Sequence, residues 1–562
     1  MPERRGSSGH EPSRRRQPSG RGRDSGHREA GGGAGKQHGS RRQPGNRHRS
    51  TQRPAERSRR ADPARLAAYT VMRRVAEGAF ANLELPKVLR EHRIHGRDAG
   101  FATELTYGAT RLRGRYDVIV AHAAGRPLSR IDDAVLDTLR LGAHQLLGMR
   151  VETHAAVNET VALARQVNGS GAAGFVNAVL RRVSERDLSE WLDLVAPPVA
   201  TERADDQDPE ALRDARLARL AVVESHPEWI VRALRAALLG HGGSTAATLE
   251  EDLTALLRAD NTPAAVSLVA RPGLVEVAEL TEAGATASTL SPVGALLSAG
   301  DPGALAAVRD GRAAVQDEGS QLVALALAAA RVRPTARSGG DRRTGSDPSA
   351  LPQSTGPGMA HDGERWLDLC AGPGGKAGLL SALAHRQGAR LRANEVSGHR
   401  AELVRRTLEA GIRAGARATV TVGDGREVGA EEPGAYDRVL VDVPCTGLGA
   451  LRRRPEARWR RTPADLSALG SLQRELLTSA LEAARPGGVV GYATCSPHLA
   501  ETTLVVGDVV RKRSDVTVED ARPLFRDASG AQVAGLGEGP HVQLWPHVHG
   551  TDAMFFALLR RL

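Results

Sequence analysis

Residues 365–376 read RWLDLCAGPGGK, a short apolar run that predicts a β-strand, followed by a glycine-rich loop. Four further strand candidates, each preceded by a possible helix, follow at 390–396, 418–422, 437–443 and 488–494. Alternating strands and helices indicate a parallel sheet with helices on both faces. Because ligands bind such sheets at the carboxyl ends of the strands, we expect the functional site there.

The glycine-rich loop, Cys370–Lys376, joins the first of these strands to a helix. Its glycines allow a ligand to approach the backbone, and the helix N-terminus favours an anionic group. The loop is not a P-loop, because Ala377 stands where Ser or Thr would bind magnesium. Glu395, at the end of the second strand, is positioned to accept hydrogen bonds from both ribose hydroxyls of an adenosine ligand. Asp424, after the third strand, is expected to reach the same cleft.

Lys376 is unusual in this chain, which has four lysines and 73 arginines. A compact ammonium fits beside a carboxylate where the planar fork of arginine would not. The lysine therefore predicts a carboxylate partner in the cleft. The alternative is an exposed lysine with no special role.

The three cysteines, Cys370, Cys445 and Cys495, contain no C-x-x-C pair, so the sequence predicts neither a zinc site nor a disulfide framework. Cys445 follows the fourth strand candidate and Cys495 the fifth. A cysteine at a strand end is usually a small buried apolar residue, but that interpretation would have to hold at both positions. We therefore expect the two thiols to meet at one edge of the sheet, beside the glycine-rich loop.

Two thiols and a carboxylate match the needs of methylation at carbon 5 of a pyrimidine. That carbon is a poor nucleophile until a thiolate adds to carbon 6, and a second group must later remove the carbon 5 proton. A carboxylate that hydrogen-bonds the ring nitrogen or the amine can stabilise the developing charge. Asp442 and Cys445 lie in the motif DVPCTG and Cys495 lies in YATCSPHLAE, and together they supply these groups.

The chain of 562 residues is too long for one domain. We predict a basic tail at 1–60, a helical domain at 61–187, a small α/β linker subdomain at 188–315, and an α/β domain at 316–562 with a flexible insert at 334–364. The linker mixes helix-like stretches with β-branched runs such as AAVSLVARP and GLVEVAEL.

The tail contains 17 Lys or Arg and 5 Asp or Glu, and the rest of the chain is close to neutral. With almost no large apolar side chains, it is predicted to be disordered and to add salt-sensitive affinity for polyanions. A purely solubilising role is the alternative. The sequence has no apolar run long enough to span a bilayer and no secretory signal, so a cytoplasmic protein is expected.

The helical segment begins at the cap and first-turn pair Asp62-Pro63 and continues with helices at about 129–149, 154–167 and 170–183. Its sequence resembles the NusB family of RNA-binding helical domains in the stretches RLAAYTVMRRVAEGAFANLELP, FATELTYGATRLRGRYD and FVNAVLRRV. The resemblance implies an all-α bundle that binds RNA. Without it, Arg111, Arg113 and Arg115 could equally be solvated surface charges.

The motifs LDLCAGPGGK, ANEVS, GDGR, DVPCTG, RRRPEARWR, YATCSPHLAE and WPHVHGTDAMFFA resemble those of the RsmB/Sun group of RNA cytosine-5 methyltransferases, and AVQDEGSQ is similar to the element that precedes that domain. The resemblance implies a Rossmann-like domain that uses S-adenosylmethionine. It makes Cys495 the nucleophile and Cys445 the residue that assists product release, with Asp442 near the base. The cofactor contacts it implies are Cys370, Ala371, Gly372, Pro373, Gly374, Gly375, Lys376, Glu395, Asp424 and Asp442.

The chain departs from the family pattern at two places. Gly372 and Ala377 replace the usual Ala and Thr of the loop, and both changes remove bulk. After the nucleophile, the family often reads L-P-E-E-N, whereas this chain has His498-Leu-Ala-Glu501-Thr, which puts the family's supporting contacts there in question.

A basic segment, Arg452–Arg461, follows the fourth strand and contains Trp459. It could bind RNA phosphates, with Trp459 stacking on a base, or be a solvated charge run around a buried tryptophan. His547, His549 and Asp552 belong to the C-terminal motif, and no metal is expected.

The resemblance favours a methyltransferase acting on small-subunit ribosomal RNA, without a membrane partner and without an expected oligomer. A tRNA-directed enzyme of the same chemistry is one alternative. A non-catalytic NusB-like RNA-binding or antitermination factor is the other, and it would not need both thiols and the cofactor loop in one cleft.

Overall fold

The computed structural model describes residues 60–199, 208–334 and 363–562, which belong to one compact unit. The predicted tail, except Arg60, and nearly all of the predicted insert at 334–364 lie outside these ranges.

The first part of the described chain is helical. Eleven α-helices precede the first strand within the described ranges: α1 (Pro63–Ala76), α2 (Ala81–Glu91), α3 (Gly96–Arg111), α4 (Arg113–Ala124), α5 (Asp133–Leu147), α6 (Thr153–Val167), α7 (Ser170–Val183), α8 (Leu188–Val195), α9 (Pro209–Val223), α10 (Glu228–Gly240) and α11 (Leu249–Asp260). The boundary drawn at 187 stays a prediction, since helices continue on both sides of it.

The helix starts follow from the sequence. Asp62 caps α1 by accepting a hydrogen bond from the backbone N–H of Arg65 at 3.0 Å, as the Asp-Pro pair predicts. Asp132 caps α5 in the same way, so that helix begins four residues later than the expected Ser129. Helix α7 has the predicted bounds.

A small antiparallel sheet follows, with strand order β2-β3-β1-β4. Its elements are β1 (Val266–Ala270), α12 (Val277–Glu282), β2 (Thr286–Ala287), β3 (Gly294–Leu297), α13 (Ala306–Arg309) and β4 (Ala313–Val315). The run AAVSLVARP contains β1, but GLVEVAEL contributes to α12, where Leu280 is buried. The β-branched residues of GLVEVAEL favour a strand, but its apolar residues recur at helical spacing, and the segment forms a helix.

The larger sheet has strand order β10-β12-β9-β8-β5-β6-β7, with β11 paired to β12. Its strands are β5 (Arg365–Asp368), β6 (Arg390–Glu395), β7 (Ala418–Val422), β8 (Tyr436–Asp442), β9 (Ala484–Thr494), β10 (Val516–Glu519), β11 (Val542–Gln543) and β12 (Phe555–Arg561). Strands β5 to β9 are parallel, as predicted, and β10 to β12 add an antiparallel edge.

Helices cover both faces of this sheet. The helices of this part of the chain are α14 (Glu318–Ala329), α15 (Gly375–Arg386), α16 (Gly398–Arg413), α17 (Val428–Glu431), α18 (Ala457–Arg460), α19 (Pro463–Ala483), α20 (Thr503–Val510) and α21 (Pro546–His549). Trp366 and Leu440 pack with α14 and α15, whereas Leu367, Val439 and Val441 pack with α19 and α20. This alternation is the period of two expected of a sheet buried on both faces.

The order in which strands are added reverses beside β5, because β6 and β7 lie on one side of it and β8 and β9 on the other, and α/β sheets open a crevice for ligands at such a point. The loops that leave the carboxyl ends of β5, β6, β7, β8 and β9 therefore share one edge of the sheet. None of the helices in the three described ranges is long and apolar enough to cross a membrane.

Candidate active site

The glycine-rich loop leaves β5 and opens α15. Gly374 has a φ of +113°, and a side chain built there would lie 3.0 Å from Thr407, so both the backbone and the space require glycine. Within the loop, Ala371 is buried, Pro373 is exposed, and burial raises the pKa of the Cys370 thiol well above its ordinary value. No side chain caps the first turn of α15, which leaves its N–H groups facing the cleft.

Glu395 fastens the glycine-rich loop to the end of β6. Its carboxylate is 2% exposed and accepts hydrogen bonds from the backbone N–H groups of Gly372 and Ser397, each at 3.0 Å. A methyl group on Gly372 would lie 2.2 Å from Glu395 Oε2 and 2.8 Å from the Arg400 guanidinium. The glycine that departs from the family pattern is therefore required by this Glu395–Arg400 arrangement.

Asn394 joins the ends of three strands, a role that the sequence analysis missed. Its amide donates to the carbonyl oxygens of Leu369 at 3.2 Å and Gly423 at 3.0 Å. Asp424 follows Gly423 and pairs with Arg426 at 2.6 Å, and this hydrogen bond lowers the pKa of the Asp424 carboxyl. Strand β6 is polar or charged at four of its six positions, so its sequence did not single out Asn394.

Lys376 has the carboxylate partner that its rarity predicts. Its Nζ lies 2.8 Å from Asp442 Oδ2. Burial disfavours the ammonium, but the charge and hydrogen bond of Asp442 outweigh it and raise the pKa of Lys376. Asp368, at the end of β5, is a third charged group here that sequence reasoning missed. Burial, followed by the charge of Asp442, raises its pKa to about 7.

The two thiols lie side by side at the ends of β8 and β9. Cys445 Sγ is 3.4 Å from Cys495 Sγ. The hydrogen bond from Cys445 lowers the pKa of Cys495 below its ordinary value despite burial, and the positive charge of Lys376 acts in the same direction. The same hydrogen bond, together with burial, raises the pKa of Cys445 well above its ordinary value. Cys495 is therefore the thiol that ionises first.

The loop after Cys445 is fixed by a buried glutamate. Glu501 accepts a hydrogen bond from the backbone N–H of Thr446 at 2.7 Å and another from its hydroxyl. Gln473 donates to Glu501 at 3.3 Å and to the Pro444 carbonyl at 2.9 Å. Although the segment after Cys495 departs from the family pattern, its glutamate supports the cysteine loop from the interior.

A second polar cluster lies near Cys495, whose carbonyl accepts from the Gly449 N–H at 2.9 Å while the Gly449 carbonyl accepts from Ala553 at 2.9 Å. Arg453 donates to Asp552 at 3.0 Å, and Thr551 and the Asp552 backbone both donate to Asp317. Burial, followed by the charge of Asp552, raises the pKa of Asp317 to about 6. The elements AVQDEGSQ and WPHVHGTDAMFFA, far apart in sequence, thus meet beside Cys495.

The basic segment Arg452–Arg461 packs mostly against protein. Arg458 is fully buried and donates to the carbonyl oxygens of Arg111, Ser225 and Asp260 and to the Asn261 side chain, at 2.9–3.2 Å. Burial lowers its pKa to about 9. The proposal that the whole segment binds RNA phosphates is therefore wrong for Arg458, which joins the helical part of the chain to the sheet domain.

The residues next to Arg458 extend this junction. Trp459 donates its indole N–H to the Thr110 carbonyl at 2.9 Å, so it is a packing residue rather than a free stacking platform. Arg460 donates to carbonyl groups at the end of α1. Arg461 donates to the Thr446 carbonyl at 3.2 Å, next to Cys445.

The arginines of α3 and α4 are divided between the junction and the surface. Arg111 is buried and Arg115 donates to the Val223 carbonyl, so neither is a solvated charge. Arg113 is 43% exposed and lies 3.5 Å from Asp117.

His549 and Asp552 have protein partners, whereas neither ring nitrogen of His547 has a hydrogen-bond partner among the described residues. Asp552 pairs with Arg453, and His549 Nε2 lies 2.9 Å from the Ala534 carbonyl. Among the residues that the structure describes, no group of three or more His, Cys, Asp or Glu side chains is arranged to hold a metal ion.

Comparison with known proteins gives two family matches. Residues 359–560 match the family described as 16S rRNA methyltransferase RsmB/F, and residues 62–185 match the NusB family.

Two relatives and one solved structure extend along most of the chain. "Putative methyltransferase Rv1407" of Mycobacterium tuberculosis is 49% identical over 508 residues, covering 90% of this chain and 98% of the relative. "Ribosomal RNA small subunit methyltransferase B" of Pseudomonas putida is 30% identical over 509 residues, covering 89% and 98%. The crystal structure of PH0851 superimposes with a TM-score of 0.65 at 18% identity, covering 89% of this chain and 99% of that chain, and so shares the fold.

Proposed function

This chain belongs to the RsmB/Sun family of S-adenosylmethionine-dependent RNA methyltransferases with an N-terminal NusB-like domain, and from that premise we propose that it methylates carbon 5 of a cytosine in small-subunit ribosomal RNA. The observation that carries the proposal is the 3.4 Å separation of Cys445 and Cys495 beside the Lys376–Asp442 pair. A base-specific RNA methylation without a covalent adduct would not need two thiols there.

The cofactor fits the glycine-rich edge of the sheet. We assign its binding to Cys370–Lys376, Glu395, Asp424 and Asp442, because the start of α15 has no side-chain cap and a methyl-sized space lies over Gly375. When bound, S-adenosylmethionine supplies the methyl group as an electrophile.

Cys495 acts as the nucleophile. Its lowered pKa favours the thiolate, which adds to carbon 6 of the cytosine and makes carbon 5 electron-rich. The Asp442 side chain is 30% exposed, so it remains open to the amino group of the base while it holds Lys376. The target base must be unpaired or flipped out of its helix to reach this site.

Cys445 acts in the second half of the reaction. In the resting pair it holds the shared proton, and the negative charge of Cys495 helps to keep its pKa high. Once Cys495 has become a neutral thioether, its negative charge no longer raises the pKa of Cys445, and Cys445 releases its proton to water. Its thiolate then accepts the carbon 5 proton, the Cys495–carbon 6 bond breaks, and the pair returns to its starting state with one proton released per turnover.

The test is methylation of purified RNA. Small-subunit ribosomal RNA and tRNA are incubated with the protein and labelled S-adenosylmethionine, and the products are mapped by bisulfite sequencing. We expect 5-methylcytosine in the ribosomal RNA. Label in tRNA alone would favour the tRNA-directed alternative, label on another atom would overturn the cytosine-5 assignment, and no label in any RNA would favour the non-catalytic one.

A further inference from the structure

Gln316, on the element that precedes the methyltransferase domain, has a fixed backbone and a free side chain. Its backbone N–H donates to the Ser267 carbonyl at 3.0 Å, and its carbonyl accepts from Gln321 at 2.8 Å. The residue is 5% exposed. The side chain is therefore held at a defined place inside the molecule.

Neither polar atom of the Gln316 amide has a hydrogen-bond partner in the part of the chain that the structure describes. Leaving such a buried group unsatisfied is costly, because it loses its hydrogen bonds to water and gains none in return, and proteins rarely tolerate this without a reason. Gln321, five residues later, shows the usual situation, because its side chain bonds to Ser267, Leu268 and Ser291. The unpaired amide of Gln316 points to a partner outside the polypeptide.

The free amide lies beside the start of α15. A methyl group built on Gly375 would lie 3.9 Å from the Gln316 amide carbon and would meet no other atom within 4 Å. The neighbouring glycines differ, since Thr407 fills the space at Gly374 and Arg271 the space at Gly378. A methyl-sized space at Gly375 therefore separates the Gln316 amide carbon from the start of α15, whose first turn has no side-chain cap.

We propose that Gln316 binds the α-amino acid end of S-adenosylmethionine. That group carries a carboxylate and an ammonium on one carbon, and an amide offers one donor and one acceptor to match them. Gln316 Nε2 donates to the carboxylate, which also lies at the favourable helix N-terminus, and Oε1 accepts from the ammonium. This inference rests on the cofactor site assigned under the proposed function and adds a residue to it.

The experiment compares two ligands by isothermal titration calorimetry. S-adenosylhomocysteine has the α-amino acid end, and 5′-methylthioadenosine lacks it but keeps the adenosine and the thioether. In Gln316→Ala, we expect the affinity for S-adenosylhomocysteine to fall about tenfold and that for methylthioadenosine to change less than about twofold. Gln316→Glu has the same size but places a negative charge beside the carboxylate, so its loss should be larger.

Gln145→Ala is the matched control, because Gln145 is a buried glutamine of the helical part whose amide donates to the Leu141 carbonyl and to Thr160. It should bind both ligands as the unaltered protein does. Unchanged S-adenosylhomocysteine affinity in both Gln316 variants, or an equal loss for the two ligands, would overturn the role of Gln316 while leaving the proposed function intact. Failure of the unaltered protein to bind S-adenosylhomocysteine would instead overturn the assigned cofactor site itself.

Discussion

The cofactor edge of the sheet and the Arg458–Arg461 segment both bury polar side chains, but they differ in what satisfies them. Apart from its Nε, which has no partner among the described residues, Arg458 donates to four acceptors, all from the protein. Neither polar atom of the Gln316 amide has a hydrogen-bond partner among the described residues, and the first turn of α15 has no side-chain cap. A run of arginines next to a predicted active site is therefore not by itself a ligand site, whereas an unpartnered buried amide beside a glycine loop indicates one.

Replacing Cys495 by Ala should have the largest effect and should fall entirely on the chemistry. We expect methylation to drop by at least about 1000-fold, because the remaining thiol, Cys445, has a pKa well above its ordinary value and is a poor replacement nucleophile, while the melting temperature stays within a few degrees. Methyl transfer to RNA and thermal unfolding are measured on the same sample. Undiminished turnover would reassign the nucleophile.

Replacing Arg458 by Ala should have the opposite pattern, with its main effect on stability and not on the chemistry. Four acceptors lose their donor in a buried junction, so we expect the free energy of unfolding to fall by about 3–5 kcal/mol and the melting temperature to fall with it. Arg454→Ala is the control in the same segment, because Arg454 is exposed and lies 5.7 Å from the Phe80 ring. Equal melting temperatures for the two variants would contradict the assignment of Arg458 as a junction residue.

The features of the fold that depend on local sequence patterns were predicted correctly. Strand β7 has the predicted bounds, β5, β6 and β8 end within two residues of theirs, and the parallel order was enough to bring Cys445 and Cys495 together. The burial of Arg458 was not predicted, because the groups to which Arg458 donates lie about 200 to 350 residues earlier in the chain. For the same reason Gln316, Asn394 and Asp368 were missed, since a buried polar residue reveals its role only through its neighbours in space.

Removing the charge of Lys376 tests the electrostatics of the site. In Lys376→Met, we expect the pKa of Cys495 to rise, because the ammonium that favours the thiolate is lost. The rate at which iodoacetamide alkylates the Cys495 peptide is followed against pH by mass spectrometry. Since the thiolate reacts, the midpoint should move to higher pH, and a midpoint that stays in place would refute the influence of Lys376.

Adding one methyl group to the cofactor loop should have the smallest effect. In Gly372→Ala, the new methyl would lie 2.2 Å from Glu395 Oε2, so the loop or the glutamate must shift. We expect the affinity for S-adenosylhomocysteine to fall about fivefold, a cost of about 1 kcal/mol. Gly398→Ala is the control, because no atom lies within 4 Å of the added methyl. Equal affinities for both variants would show that the loop tolerates the bulk.

The most direct test of the two-thiol account is the fate of RNA on protein that lacks the second thiol. Cys445→Ala and Cys445→Ser are incubated with small-subunit ribosomal RNA and S-adenosylmethionine, separated on denaturing gels and digested for mass spectrometry. We predict a stable adduct that joins Cys495 to a methylated cytosine, and no adduct in the Cys445→Ala/Cys495→Ala double variant. Full turnover by the single variants without an adduct, or an adduct through any residue other than Cys495, would contradict the account.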